Sequence, residues 1–250
     1  MRGTAEGVET GGRGQVRVPG RVRAWDGPTR LFKWTLVALV VTAWLTHFGG
    51  DPWLGLHTWN GYAVLILVVF RLLWGIVGSS TARFSSWVTW PWTAARYGLA
   101  LVRGKGRPYL GHNPLGGWMI IALLGVVASQ AVAGLFTVDS NGLMGGPFAN
   151  FDFGDPSPVQ RFFSRYHHWA FNIILAFAIV HVLVNLVYQF VKRDPVVAAM
   201  ITGVKPVEDF ADQREMSPAP WSWLRAALCL AAAAALVLGA VKAFGGKLPF

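Results

Sequence analysis

The apolar residues of this chain come in blocks, and the blocks have the length of a bilayer. Five of them, at about 31–48, 57–77, 115–136, 166–190 and 222–244, each reach or approach the roughly 20 residues an α-helix needs to cross hydrocarbon. No charged residue lies between Leu115 and Phe136, or between Trp169 and Phe190. A soluble core built from five such helices would have too little polar surface to cover it. Only 14% of the residues are charged and 54% are hydrophobic, against roughly 25% charged in soluble domains. The expected class is all-α integral membrane, with five transmembrane helices.

The net charge of +10 raises the possibility of a nucleic-acid partner, and its distribution argues against one. Residues 75–112 carry Arg83, Arg96, Arg103, Lys105 and Arg107 with no acidic residue, and the first 33 residues carry seven basic and three acidic. Between the third and fourth blocks stand Asp139, Asp152 and Asp155 against Arg161 and Arg165. This is the positive-inside asymmetry. It predicts a cytoplasmic N-terminus, with the 49–56 and 137–165 loops and the C-terminus outside. Residues 1–24, Gly- and Arg-rich without an apolar stretch, read as a disordered cytoplasmic tail and not as a signal peptide. The single Cys229 rules out an intramolecular disulfide, and no Cys-x-x-Cys-His run is present for a c-type haem.

Between the spans, residues 84–106 mix Trp87, Trp90, Trp92 and Tyr97 with Arg96, Arg103 and Lys105, which suits an interfacial helix. Asn113-Pro114 reads as an N-cap followed by a first-turn proline, with His112 an interfacial residue just before it. Residues 206–220 lie in a polar cytoplasmic connector. The last span, rich in alanine, has the small residues that let membrane helices approach closely, so it is expected to dock on something.

The histidines carry the chemistry. The chain has six, and three of them stand in RYHHWAFNIILAFAIVH at 165–181. An imidazole in hydrocarbon is costly unless its ring nitrogens are satisfied. His167 and His181 are 14 residues apart, close to four turns, so they share a face at depths about 21 Å apart. His168 is rotated off that face and, like His47, reads as interfacial. His57 and Arg71, and Lys33 and His47, repeat the 14-residue interval on the second and first helices. His47, His57, His167 and His168 therefore cluster at an outer level, and Lys33, Arg71 and His181 at an inner one. Two haems stacked across a membrane would suit this arrangement, the outer held by His57 with His167. Gly61, one turn beyond His57, would admit a macrocycle close to the backbone. Arg71, a charge deep in a span, needs an anion such as a propionate of the inner haem. No carboxylate or cysteine joins the histidines within the spans, which disfavours a zinc or mononuclear iron site.

AWDGPTRLFKW at 24–34, LHTWNGYAVL at 56–65, FRLLWGIVG at 70–78, GHNPLGGWM at 111–119 and HHWAFN with HVLVN at 167–185 together resemble the bacterial cytochrome b561 family, which includes the b-type cytochrome subunits of nickel–iron hydrogenases. The resemblance spans about residues 24–205. It implies a four-helix membrane bundle holding two b haems, each with two axial histidines, that passes electrons between quinone and a redox partner. By the family pattern, His57 and His167 hold the outer haem, and His181 pairs with a first-helix histidine in a Phe-His-Trp motif. Here that motif reads Phe32-Lys33-Trp34. Lys33 is the expected ligand as a neutral amine; a five-coordinate haem on His181 alone, or no inner haem with Lys33 snorkelling to the headgroups, are the other arrangements.

The domains expected are the tail 1–24, a cytochrome b bundle 25–205, the connector 206–220 and an added helix within 221–250. The leading expectation is a multi-pass protein of the bacterial inner membrane that carries electrons through haem b between a quinone pool and a c-type cytochrome or other redox subunit. It would form a hetero-oligomer through the fifth helix and bind no nucleic acid. FANFDFGDPSP at 148–158 would be an outward-facing partner site or a purely structural loop. The alternatives are a structural subunit with partly degenerate haem sites, anchoring a larger redox or photosynthetic complex, and a stand-alone quinone-reducing enzyme.

Overall fold

The computed structural model describes residues 20–49, 51–138, 145–148 and 158–246. Most of the 148–158 stretch, together with Asp139, Asp152 and Asp155, lies outside them. Seven helices and one two-stranded ribbon follow in the order β1 Arg21–Arg23, α1 Gly27–His47, α2 Asp51–Val77, α3 Pro91–Val102, α4 Pro114–Leu135, α5 Pro158–Leu186, α6 Val196–Thr202, β2 Val204–Pro206 and α7 Ser222–Ala243.

Several of the starts are written locally. Asp26 caps α1 by accepting from Thr29 N at 2.6 Å, and Asn113 caps α4 by accepting from Gly116 N at 2.8 Å. Each cap is followed by a proline in the first turn, where no amide hydrogen is needed. The helices α2, α4, α5 and α7 are each long and apolar enough to cross a membrane. The first helix, at 21 residues, is not among those four. Arg30 and Lys33 lie in its first two turns, so its uninterrupted apolar stretch is shorter than the others'. The outward faces are greasy: Ile179, Val182, Leu183 and Val184 on α5 are all about half exposed. Such a surface is soluble in lipid and not in water.

At the centre stands α2. Half of its spanning window is buried, against 17% for α4, 11% for α5 and 17% for α7. It packs against α1, α4 and α7, while α5 packs on α4. Phe70 and Trp74 of α2 stack with ring centroids 6.1 Å apart, and Phe32, Ala226 and Ala233 close over them. Val64 and Val68 meet Val127 of α4 and Ile174 of α5. Polar groups tie the spans across these contacts. Asn60 Nδ2 donates to Leu39 O at 2.8 Å, Trp74 Nε1 to Thr29 Oγ1 at 3.1 Å, and Ser129 and Tyr166 share a hydrogen bond of 2.8 Å.

The alanine face of α7 has its partner inside the chain. Ala226 and Ala233 are buried against α2, whereas Leu228 and Leu236 are about 60% exposed. Close approach needs small side chains, so the alanines go to the helix–helix contact and the leucines to the outside.

Three sequence expectations change. The tail 1–24 is not wholly irregular: Arg21–Arg23 pair antiparallel with Val204–Pro206, and Ala24 is fully buried. Most of the 49–56 segment is helical, because α2 already begins at Asp51. The connector after the fourth span is a folded cap over the Lys33 end of the bundle. In it Ala24 N and Trp25 N both donate to Gly203 O at 2.8 and 3.1 Å. Gly203 has φ of 84°, and a Cβ there would stand 2.9 Å from Trp25 O, so only glycine fits. Lys205, with its side chain 3% exposed, bonds Asp194 at 2.8 Å and Tyr109 O at 3.0 Å. The Asp212 carboxylate accepts from Leu110 N and Gly111 N. Apolar patterning could not show this cap, because its cohesion lies in backbone and side-chain hydrogen bonds between distant segments.

Replacing Ala233 with leucine is expected to overpack the α2–α7 contact and lower stability by about 1–3 kcal/mol. Leu228→Ala, on the outward face, should leave stability almost unchanged. Thermal unfolding of the detergent-solubilised chain, followed by circular dichroism, measures both.

Candidate functional site

Between α1 and α5 the bundle is open. A cleft of about 270 Å³ lies at the end where α1 finishes and α2 begins, walled by residues of α1, α2, α4 and α5. A second hollow of about 250 Å³ shares His47, His57, Gly61, His167 and His168 with it and extends toward Gly145–Pro147. Helix packing explains the opening: α1 leans on α2 and α7, and α5 leans on α4.

Across this space His57 of α2 faces His167 of α5. Their ring centroids are 6.1 Å apart and their planes are nearly perpendicular, at 85°. Two imidazoles that each bond one metal ion at about 2.0 Å would have their centroids about 6 Å apart. The second nitrogen of each ring is already engaged. Thr46 Oγ1 donates to Thr42 O at 2.8 Å, so its lone pairs are free to accept from His57 Nδ1 at 3.0 Å. His167 Nδ1 donates to Gln130 O at 2.9 Å. The Gln130 carbonyl can only accept, so His167 carries its proton on Nδ1 and keeps Nε2 as a lone-pair donor, and Thr46 Oγ1, with its own proton on Thr42 O, favours the same tautomer of His57. Gly61 lines the cleft, and a Cβ built there would meet nothing within 4 Å. The residues at this end therefore fit a flat, bis-imidazole-ligated group such as haem.

Some of these supports were not evident from the histidine spacing. A Cβ on Gly134 would come within 2.9 Å of His167 Cε1, so that glycine makes room for the ring. Thr46 is a polar residue in an apolar span, which is the signal that could have found it, whereas Gln130 acts through its backbone carbonyl, which no side-chain pattern marks. Asn60 and Gln130 also line the cleft, and Asn60 Oδ1 and Gln130 Oε1 have no partner. His47 and His168, read from the sequence as interfacial, line the same cleft, with ring centroids 5.7 Å apart. His168 is rotated off the His167 face, and that rotation aims it toward α1.

The other level is built differently. The Lys33 amine lies 2.9 Å from Met200 Sδ of α6 and 3.7 Å from the centre of the Trp25 ring. Among the described residues no hydrogen bond joins Lys33 to His181. The structure thus places the Lys33 amine against α6 and the Trp25 ring. Arg71, 2% exposed, is covered by Phe84 and Trp87, with its guanidinium carbon 4.8 and 5.7 Å from the two ring centres. His112 is half-buried within the fold. It is packed between Trp25 and Trp87 with ring centroids 4.8 and 5.0 Å away. Its burial, with Lys33 and Arg71 nearby, pushes the imidazole well below its ordinary pKa, so the ring is neutral.

Three relatives resemble the chain along most of its length. The chain is 25% identical over 231 residues to a probable Ni/Fe-hydrogenase B-type cytochrome subunit of Azotobacter chroococcum mcd 1, covering 81% of this chain and 96% of that one. It is 26% identical to the protein of the same description from Azotobacter vinelandii, with the same coverage. Its identity to that of Rhizobium leguminosarum bv. viciae is 25%, over 76% of this chain and 91% of that one. No solved structure matches. The model of the prokaryotic cytochrome b561 family matches residues 24–203, which include His57, His167 and the whole of the cleft, and the chain belongs to that family of multi-pass membrane b-type cytochromes.

Proposed function

We propose that this chain is a haem b electron-transfer subunit of the bacterial inner membrane, with His57 and His167 as the residues that would hold its haem. The observation that carries the reading is the His57–His167 pair, 6.1 Å between centroids with both Nδ1 atoms tied back to the protein. The relatives are described as cytochrome subunits of a Ni/Fe hydrogenase, which supports a hydrogenase as the redox partner; a quinone pool is the proposed other end of the electron path, and another redox subunit the alternative partner. The positive-inside pattern supports a cytoplasmic N-terminus, with the His57 end of the bundle outside and α1 as a fifth span beside the four more apolar ones. The cytochrome domain is residues 25–205, and α7 is an added helix that covers α2.

A haem b at this site supplies a one-electron iron couple, tuned by its axial ligands and burial. The chain's own residues do the positioning. Thr46 and the Gln130 carbonyl hold the two rings and raise their basicity by taking the Nδ1 protons. Val64, Val127 and Ile174 form the apolar wall of the cleft and exclude water from one side. Gly61 and Gly134 keep Cβ atoms off the space and off the His167 ring. His47 and His168 stand beside the axial pair at the rim and are polar groups for a docked partner or a substrate to meet. Lys33, engaged by Met200 and Trp25, takes no part at this end of the bundle.

Haem analysis of the purified chain is the test. His57→Ala or His167→Ala should each abolish the low-spin ferric signal of this haem, while Lys33→Ala should leave that signal intact. A low-spin signal unchanged by both histidine substitutions would overturn the assignment. Thr46→Val removes the acceptor for His57 Nδ1 and should weaken haem retention about 10–100-fold, the usual cost of losing an outer-shell partner. Competitive loss of haem to apomyoglobin measures it.

A further inference from the structure

At 12 residues α3 is too short to span hydrocarbon, and its contacts hold it at one depth. Trp118 Nε1 of α4 donates to Thr89 O, just before α3, at 3.1 Å. A Cβ on Gly98 would stand 3.2 Å from Leu115 Cδ1, and Tyr97 OH lies 3.4 Å from Tyr188 OH, just past the end of α5. Leu115 and Trp118 belong to the first turns of α4, so α3 sits at the level where that span enters the bilayer. Its inner side packs on α4. On its outer side Trp90 and Trp92 are more than half exposed and stack with centroids 4.9 Å apart and planes 7° from parallel. Leu99 and Val102, also more than half exposed, continue this apolar strip along the helix.

The same side is basic. Arg83, Arg96, Arg103 and Lys105 are exposed, and among the described residues none of the four is in an ion pair. The carboxylates of the cap meet this segment at its far end, where Asp209 pairs with Arg107 at 3.0 Å and Asp212 accepts from Leu110 N and Gly111 N. Trp92, Arg96, Leu99 and Arg103 follow at intervals of four, three and four, so one helical face alternates apolar and cationic groups. In water the stacked indoles and the two aliphatic side chains would be an uncovered apolar patch. A neutral lipid would cover them and leave the cations without partners. An acidic phospholipid brings acyl chains for the one and a phosphate for the other. We propose that the outer face of α3 is a binding surface for acidic phospholipids. Trp90 and Trp92 lie at the acyl boundary, Arg96 and Arg103 reach the phosphates, and Arg83 and Lys105 add charge on the flanks. This surface shares no residue with the His57–His167 cleft and needs no haem.

The test reconstitutes the full chain in phosphatidylcholine vesicles and titrates in brominated phosphatidylglycerol or brominated phosphatidylcholine at fixed total lipid. Bromine on an acyl chain quenches a tryptophan it touches. The difference in emission between the unsubstituted chain and Trp90→Phe/Trp92→Phe isolates the two tryptophans of α3. Their quenching should reach half its limit at a mole fraction of phosphatidylglycerol about fivefold below that of phosphatidylcholine, the worth of one basic residue near an anionic surface. Arg96→Gln/Arg103→Gln should remove most of that preference. So should about 1 M sodium chloride on the unsubstituted chain, where the Debye length falls to about 3 Å, and this measurement decides if the variant does not fold. Equal half-points for the two lipids, or a preference that persists in the variant or in salt, overturn the proposal. No quenching by either lipid places the face outside the bilayer, where a protein partner could cover it, and overturns the proposal as well.

Discussion

An imidazole inside a bilayer has two nitrogens and no water to satisfy them, and the arrangement at the His57 end of this bundle follows from that constraint. Each of the two facing rings spends one nitrogen on the protein, through Thr46 Oγ1 or the Gln130 carbonyl. That leaves one nitrogen on each ring, with the ring centroids 6.1 Å apart, about the separation of two imidazoles on one metal ion. Neither ring could be held this way by a polar surface loop. Both depend on helices whose own backbone groups are internally bonded, as the membrane demands.

The cleft in turn depends on an uneven packing of helices. The buried helix α2 gathers α1 and α7 on one side and α4 on another, while α5 has only α4 as a large neighbour among the spans. Side chains along α1 and α5 therefore face each other across open space instead of interlocking, and Gly61 and Gly134 keep that space clear. The alanine-rich α7 strengthens the opposite face of α2, where Ala226 and Ala233 admit the aromatic pair Phe70 and Trp74. The alanine face of that helix thus packs within the chain, against the cleft's central wall.

Much of this was legible in the sequence. The spans announce themselves by length and lack of charge, and the 14-residue intervals place His57 and His167 at one depth with Gly61 beside them. Asn113-Pro114 marks the start of α4 to the residue. What stayed hidden depended on long-range contacts. His112 sits next to a helix cap, where sequence suggests an interface, and only the folded cap made by β1, α6 and β2 buries it between two tryptophans. His47 and His168 could be placed at the right level, but their approach across the α1–α5 gap is a property of helix packing. The exchange of histidine for lysine at position 33 was visible, while the capture of its amine by Met200 and Trp25 was not.

The two ends of the bundle thus differ in kind. One presents two facing imidazoles, and the other holds Lys33, Arg71 and His112 against aromatic rings. The central claim is the first of these, and the type of iron ligation is its most direct measure. Near-infrared magnetic circular dichroism of the oxidised full chain separates bis-imidazole iron from imidazole–amine and imidazole–thioether iron. The account predicts a bis-imidazole band from the haem at His57 and His167. A spectrum containing only amine- or thioether-ligated iron, with no bis-imidazole component, would contradict it.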